Sequence, residues 1–107
     1  AGPIYATPAT IDVARLILRD SAFLQEKDAE FANRHGFSRH KPALPLYTKA
    51  DAERAIEALR PVPFHAHFDL AGGSLQFRRA GHILGAATAE LQLGGLTTVF
   101  SGDLGRY

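Results

Sequence analysis

At 107 residues with a net charge of +1, the chain has room for one domain at most, and no overall field would draw it to nucleic acid or to a membrane. Its 46% apolar and 21% charged residues suit an ordinary globular core, and the lack of any cysteine removes disulfides and thiolate metal sites together. His, Asp and Glu are therefore left to hold any metal. No apolar run approaches the ~20 residues of a membrane span, and Ala1-Gly2-Pro3-Ile4-Tyr5 lacks the features of a secretion signal, so a cytoplasmic location is expected. With no methionine anywhere and an end just beyond a glycine-rich loop, the sequence reads as a piece of a longer protein, residues 1–107 forming part of one domain.

Ile4-Tyr5-Ala6 suits a short buried strand. Thr7-Pro8 then offers an N-cap hydroxyl and a first helical residue with no N–H to leave unpaired. Ile11, Ala14, Ile17 and Leu18 recur at helical spacing, which predicts a helix over about residues 8–20. Ser21 can cap a second helix carrying Leu24, Phe31 and Ala32, with Gly36 as its stop. The stretch from Asn33 to Pro42 collects the local positive charge and reads as an extended loop; Arg34, Arg39, His40 and Lys41 are its candidate phosphate contacts, against the plainer reading of a solvated connector.

Thr48 and Asp51 form a capping-box pattern that opens a third helix with Ala52, Ala55, Ile56 and Leu59 inward, ended by Pro61 and Pro63. The remainder reads as β. Phe64, Ala66, Phe68 and Leu70 alternate with His65, His67 and Asp69, Ala71-Gly72-Gly73-Ser74 turns the chain, and Leu75 and Phe77 continue. A second hairpin runs from Ala87 through Gly94-Gly95 to Phe100.

Two patterns could carry metal chemistry. His65-Ala66-His67-Phe68-Asp69 puts three ligand-type side chains at period two, where one strand face could chelate an ion. It runs straight into a hairpin, however, whereas such signatures belong in loops that fold around the ion; it is read as the polar face of a strand. The other pattern is Ala80-Gly81-His82-Ile83-Leu84-Gly85 with Ser101-Gly102-Asp103-Leu104-Gly105-Arg106, a histidine and an aspartate among glycines at the two ends of one hairpin. A hairpin returns its ends to the same side of a sheet, so imidazole and carboxylate can meet there. On the residues alone, a turn histidine and an Asx-turn cap remain the competing reading.

These two loops, with Gly2-Pro3-Ile4-Tyr5-Ala6-Thr7 and Pro45-Leu46-Tyr47-Thr48 each leading into a helix, resemble the metallo-β-lactamase superfamily, and most closely its β-CASP nuclease branch, which includes RNA 3′-end processing endonucleases. The resemblance implies an α+β fold: part of an αββα sandwich, with about three helices on a mostly antiparallel sheet. It implies two zinc ions, with His82 as the later histidine ligand and Asp103 as the bridging carboxylate. The family's His-x-His-x-Asp-His motif would precede Ala1, and its final histidine and β-CASP insertion would follow Tyr107. Such an ion pair makes hydroxide available near neutral pH and stabilises charge on a phosphodiester. Gly81, Gly85, Gly102 and Gly105 would let the backbone turn beside the ligands.

The function implied is a zinc-dependent nuclease acting on RNA. The alternatives are another hydrolase of the superfamily, on DNA or a small ester or thioester, and a degenerate non-catalytic scaffold. Two ligands alone hold zinc poorly, so the 107-residue chain is expected to be inactive by itself. A severed sandwich would expose apolar sheet surface, so pairing of two copies is expected.

Overall fold

The computed structural model describes residues 2–36 and 42–105. It is α+β, with the order β1 (Ile4–Ala6), α1 (Pro8–His35), α2 (Lys49–Ala58), β2 (Leu59–Pro61), β3 (His67–Leu70), β4 (Gly73–Arg79), β5 (Ala87–Leu93) and β6 (Leu96–Phe100). β1 and β2 pair in parallel across the two helices, and β3 to β6 form an antiparallel meander in sequence order. Among the described residues, no helix is long and apolar enough to cross a membrane.

Among the described residues two helices stand where three were expected. The predicted break at Ser21 does not occur, and α1 runs unbroken for 28 residues, about 42 Å at 1.5 Å per residue. Neither Gly nor Pro lies between Ala9 and His35 to interrupt it. The Ser21 hydroxyl, free to cap a backbone, hydrogen-bonds the Tyr47 hydroxyl instead. Beside it Ala22 is wholly buried. Arg19 forks onto Glu53 through Nε–Oε1 at 2.7 Å and Nη2–Oε2 at 3.2 Å, and Lys49 approaches Glu26 at 3.7 Å, so α1 is tied to α2 on both sides of Ser21. The outer signals hold: Thr7 caps the start, Pro8 opens the first turn, and Gly36 closes the helix at φ 69°, its N–H donating to the Ala32 carbonyl.

α2 opens on a full capping box. The Thr48 N–H donates to Asp51 Oδ2 at 2.9 Å, and the Asp51 N–H donates to Thr48 Oγ1 at 3.2 Å. The helix ends at Ala58, ahead of the prolines, and Leu59–Pro61 becomes a strand. Pro61 and Pro63 bias Arg60 and Val62 towards extended backbone, which explains the early switch. The Val62 N–H then donates to the Ala6 carbonyl at 2.8 Å.

Strand β3 is shorter than the alternation suggested, since Phe64 and His65 form a turn with His65 at φ 66°. The two meander turns each place two residues at positive φ, Ala71 and Gly72 in one, Gly94 and Gly95 in the other, the type I′ geometry that suits strand twist. Register puts Phe68, Leu75 and Leu91 in one row and Phe77, Ala89 and Phe100 in the next, all on one face. His67, Gln76 and Glu90 lie on the other. The apolar face meets β1 through Tyr5, whose ring is 4.9 Å from that of Phe68, which in turn is 6.0 Å from Phe77. Towards β6 that face is uncovered: Leu93, Leu96 and Phe100 are all exposed.

Candidate active site

Strand β4 delivers the chain to Ala80, which is buried, and the next six residues form a tight loop. The Ala80 N–H donates to the Ala86 carbonyl at 3.1 Å and the Ala86 N–H to the Ile83 carbonyl at 3.0 Å, so the loop closes on itself around His82. β6 returns beside β5 and delivers Asp103 to the same end of the sheet. Nε2 of His82 lies 3.7 Å from Oδ2 of Asp103. Both side chains reach solvent, and both line a cavity of about 370 Å³ together with Tyr5, Thr7, Thr10 and Phe77.

The glycines of the two loops differ in what they supply. Gly81, Gly85 and Gly102 have positive φ. Gly105 is required by close approach: a Cβ there would stand 2.3 Å from the Cα of His82 and 2.5 Å from the Gly81 carbonyl oxygen. The Gly105 N–H also donates to the Ala80 carbonyl at 3.2 Å, locking the aspartate loop to the histidine loop.

A second anchor comes from the start of α1. Thr7 Oγ1 lies 2.7 Å and Thr10 Oγ1 2.8 Å from the Gly85 carbonyl oxygen. A Cβ on Gly85 would meet the Thr10 nitrogen and hydroxyl, each at 2.5 Å. From the sequence Thr7 reads as a helix cap. The available signal was Thr7-Pro8-Ala9-Thr10, two hydroxyls at i and i+3 on one side of a helix start; nothing local says that a carbonyl 75 positions from Thr10 will be their acceptor.

As donors, His82 and Asp103 fit zinc as far as they go. Their 3.7 Å separation is too long for a hydrogen bond and close to the roughly 3.3 Å between two donors, each ~2.0–2.1 Å from a shared tetrahedral ion. Among the described residues no three His, Asp or Glu side chains converge on one point. The His65-His67-Asp69 pattern lacks the geometry it would need, because His65 has left the strand: its N–H donates to the Phe77 carbonyl at 2.8 Å and its carbonyl accepts from Gln76 Nε2 at 3.1 Å. Of the basic stretch, Arg34 belongs to the last turn of α1, where it pairs with Glu30 at 3.2 Å; Arg39, His40 and Lys41 lie outside the described residues.

An α+β chain that brings a glycine-flanked histidine and a glycine-flanked aspartate to one end of an antiparallel sheet has the arrangement of the metallo-β-lactamase hydrolases. No protein-family model matches the chain. Comparison with individual proteins is more specific. The chain is 33% identical over 104 residues to ribonuclease TTHA0252 of Thermus thermophilus, covering 97% of this chain and 20% of that protein. It is 30% identical over 105 residues to endoribonuclease YSH1 of Eremothecium gossypii, covering 98% of this chain and 13% of the other. It is 36% identical over 61 residues to cleavage and polyadenylation specificity factor 73 of Drosophila melanogaster, covering 57% of this chain and 9% of the other. The chain belongs to the β-CASP branch of the metallo-β-lactamase superfamily. It spans a fifth or less of the length of these relatives.

Proposed function

We propose that the chain is part of the catalytic domain of an RNA-processing endonuclease, and that it contributes His82 and Asp103 to a zinc centre completed by residues elsewhere in the parent protein. The observation that carries this reading is the 3.7 Å approach of the His82 imidazole to the Asp103 carboxylate on a shared cavity, in a chain with two named ribonuclease relatives matching nearly its full length. Zinc, when bound, would supply Lewis acidity that activates water and offsets charge on a phosphodiester. The chain's own contribution is positional. His82 offers an imidazole nitrogen from a closed loop, and Asp103 carboxyl oxygens from the facing one. Tyr5 and Phe77 supply the apolar side of the cavity beside them. In the parent, β3 to β6 would form one sheet of an αββα sandwich.

The test is RNA cleavage by the parent protein with and without zinc. Loss on chelation, recovery with zinc, and loss in the His82→Ala and Asp103→Ala variants are expected. Removing supporting partners of metal ligands costs roughly 10–100-fold, so removing a ligand should cost more. A parent that turns over a thioester but leaves RNA intact would move the reading to another hydrolase of the superfamily. The 107-residue chain alone is expected to be inactive, with two donors where catalytic sites use three and a water. We further propose that the exposed apolar face and the β6 edge, unpaired among the described residues, pair two copies of the isolated chain.

A further inference from the structure

We infer that Thr7 and Thr10 are positioning residues for His82, acting through the carbonyl of Gly85. Each hydroxyl has one proton, and a carbonyl oxygen has two lone pairs. Thr7 Oγ1 lies 2.7 Å and Thr10 Oγ1 2.8 Å from the Gly85 oxygen, and the two hydroxyls are 2.8 Å from each other, so Thr10 can donate to Gly85 while the Thr7 proton goes either to Gly85 directly or to Thr10 Oγ1. Thr7 Oγ1 keeps its own acceptor capacity for the Thr10 N–H at 3.4 Å, so the helix cap and the strap use different lone pairs and protons of the same two residues. Thr7 is 2% exposed and Gly85 is buried, so water cannot replace the Thr7 donor without the loop moving, while Thr10 is half-buried at the cavity wall.

The consequence for His82 follows from the loop's shape. From Ala80 to Ala86 its own hydrogen bonds close a small ring of backbone, which moves as a unit. The ring is held at Gly105 on the sheet side and at Gly85 on the helix side. Releasing Gly85 leaves it able to hinge about Ala80, carrying His82 relative to Asp103. α1 is 28 residues long and bound to α2, so the two threonines refer the imidazole to the most extended rigid element of the chain. The hydrogen bonds of the two hydroxyls go to the Gly85 carbonyl and to each other, so their effect on His82 is through the loop. This rests on the reading of His82 as a ligand for its functional meaning, while the mechanical claim stands independently of it.

The deciding variant is Thr10→Val, nearly isosteric and sparing the Thr7 cap, with Thr7→Ser and Thr10→Ser as hydroxyl-keeping controls. In the 107-residue chain, Thr10→Val should speed hydrogen exchange at the Ala86 and Gly105 amides by roughly tenfold, the size of one net hydrogen bond. It should also shift the His82 ring resonances, while β3 and β4 amides stay unchanged. Thr10→Ser should restore both signals. Unchanged exchange and ring resonances in Thr10→Val would overturn the proposal. So would a Thr10→Ser variant as perturbed as Thr10→Val, because bulk and not the hydroxyl would then matter. These readouts need neither metal nor RNA. A loosened loop in a parent that cannot cleave RNA would leave the strap standing and remove the nuclease reading; an active parent with an unmoved loop would do the reverse.

Discussion

The backbone of Gly105 lies against the backbone of His82 with no room for a side chain between them: a Cβ at residue 105 would stand 2.3 Å from the His82 Cα and 2.7 Å from its nitrogen. Both contacts are backbone atoms of a hydrogen-bonded loop, which cannot swing aside as a flexible side chain would. Gly105→Ala should therefore displace the His82 loop and destabilise the chain by about 1–3 kcal/mol, the usual cost of forcing extra volume into a packed site. Chemical-shift changes centred on residues 81–86, with a lowered urea midpoint, are the expected outcome. An unshifted His82 in a normally stable variant would contradict the close approach.

The continuity of α1 can be tested at Phe23. Were Ser21 the cap of a separate helix, residue 23 would sit in a first turn, where proline is tolerated. In a continuous helix, proline at 23 removes an internal hydrogen bond and clashes with the preceding turn, costing about 3 kcal/mol or more. Phe23 is 43% exposed, and its ring lies under the Lys27 and Lys49 ammoniums at 5.6 and 5.0 Å, so loss of the side chain must be measured separately. Phe23→Pro should sharply lower helical ellipticity and stability, with Phe23→Ala as the control. Equal stability of the two variants would restore the broken helix.

The start of α2 should respond to acid. The Thr48 N–H, then the Thr48 hydroxyl, and more weakly Arg54 hold the Asp51 carboxyl below its usual pKa, and the hydrogen bond from Arg19, followed by its charge, does the same for Glu53. A carboxyl depressed on folding adds stability that is fully present above its unfolded pKa, about 3.9 for Asp and 4.3 for Glu, and fades as pH falls through the folded value. Both groups are solvent-exposed, so the effect is small. The drop in urea midpoint between pH 5 and pH 2.5 should shrink in an Asp51→Asn, Glu53→Gln double variant. A drop of undiminished size would show that neither carboxyl contributes. Separately, Thr48→Ala should cost about 1 kcal/mol through loss of the cap.

Strand β6 ends the meander with one side unpaired among the described residues, and Leu96-Thr97-Thr98-Val99-Phe100 carries no charge and no proline. Such an edge is a template for another strand, and a single lysine is an effective deterrent. The isolated chain should sediment as a dimer or larger species, and Val99→Lys should shift it towards monomer. A chain that is monomeric from the outset would end the pairing proposal.

Much of this architecture could be read from local chemistry. Thr7-Pro8, Thr48 with Asp51, and the paired turn residues at 71–72 and 94–95 each announce themselves within four positions, because caps and tight turns are satisfied by near neighbours. The failures share a cause. Ser21 has a cap's chemistry but spends its hydroxyl on Tyr47, and His65 continues a period-two pattern but is turned out by a hydrogen bond to Phe77. In both cases a partner distant in sequence overrides a local preference. The candidate site divides in the same way: His82 and Asp103 are visible because one hairpin joins them, whereas the Thr7–Gly85 contact, 78 positions apart, has no local trace.

That separation also sets an order of assembly. The meander pairs strands that follow one another directly, and hairpins close in roughly 1–10 μs. The Thr7–Gly85 contact must instead join segments near the two ends of the chain, and the parallel pairing of Ile4 with Leu59 must wait for the intervening helices to dock. Loop closure over such lengths carries a larger entropic barrier, and contacts of this kind form late. His82 and Asp103 thus come together early on a nascent hairpin. The threonines seize that hairpin only in the closing step of folding, so a slowed or misfolded chain would still carry the pair, but without its bearings.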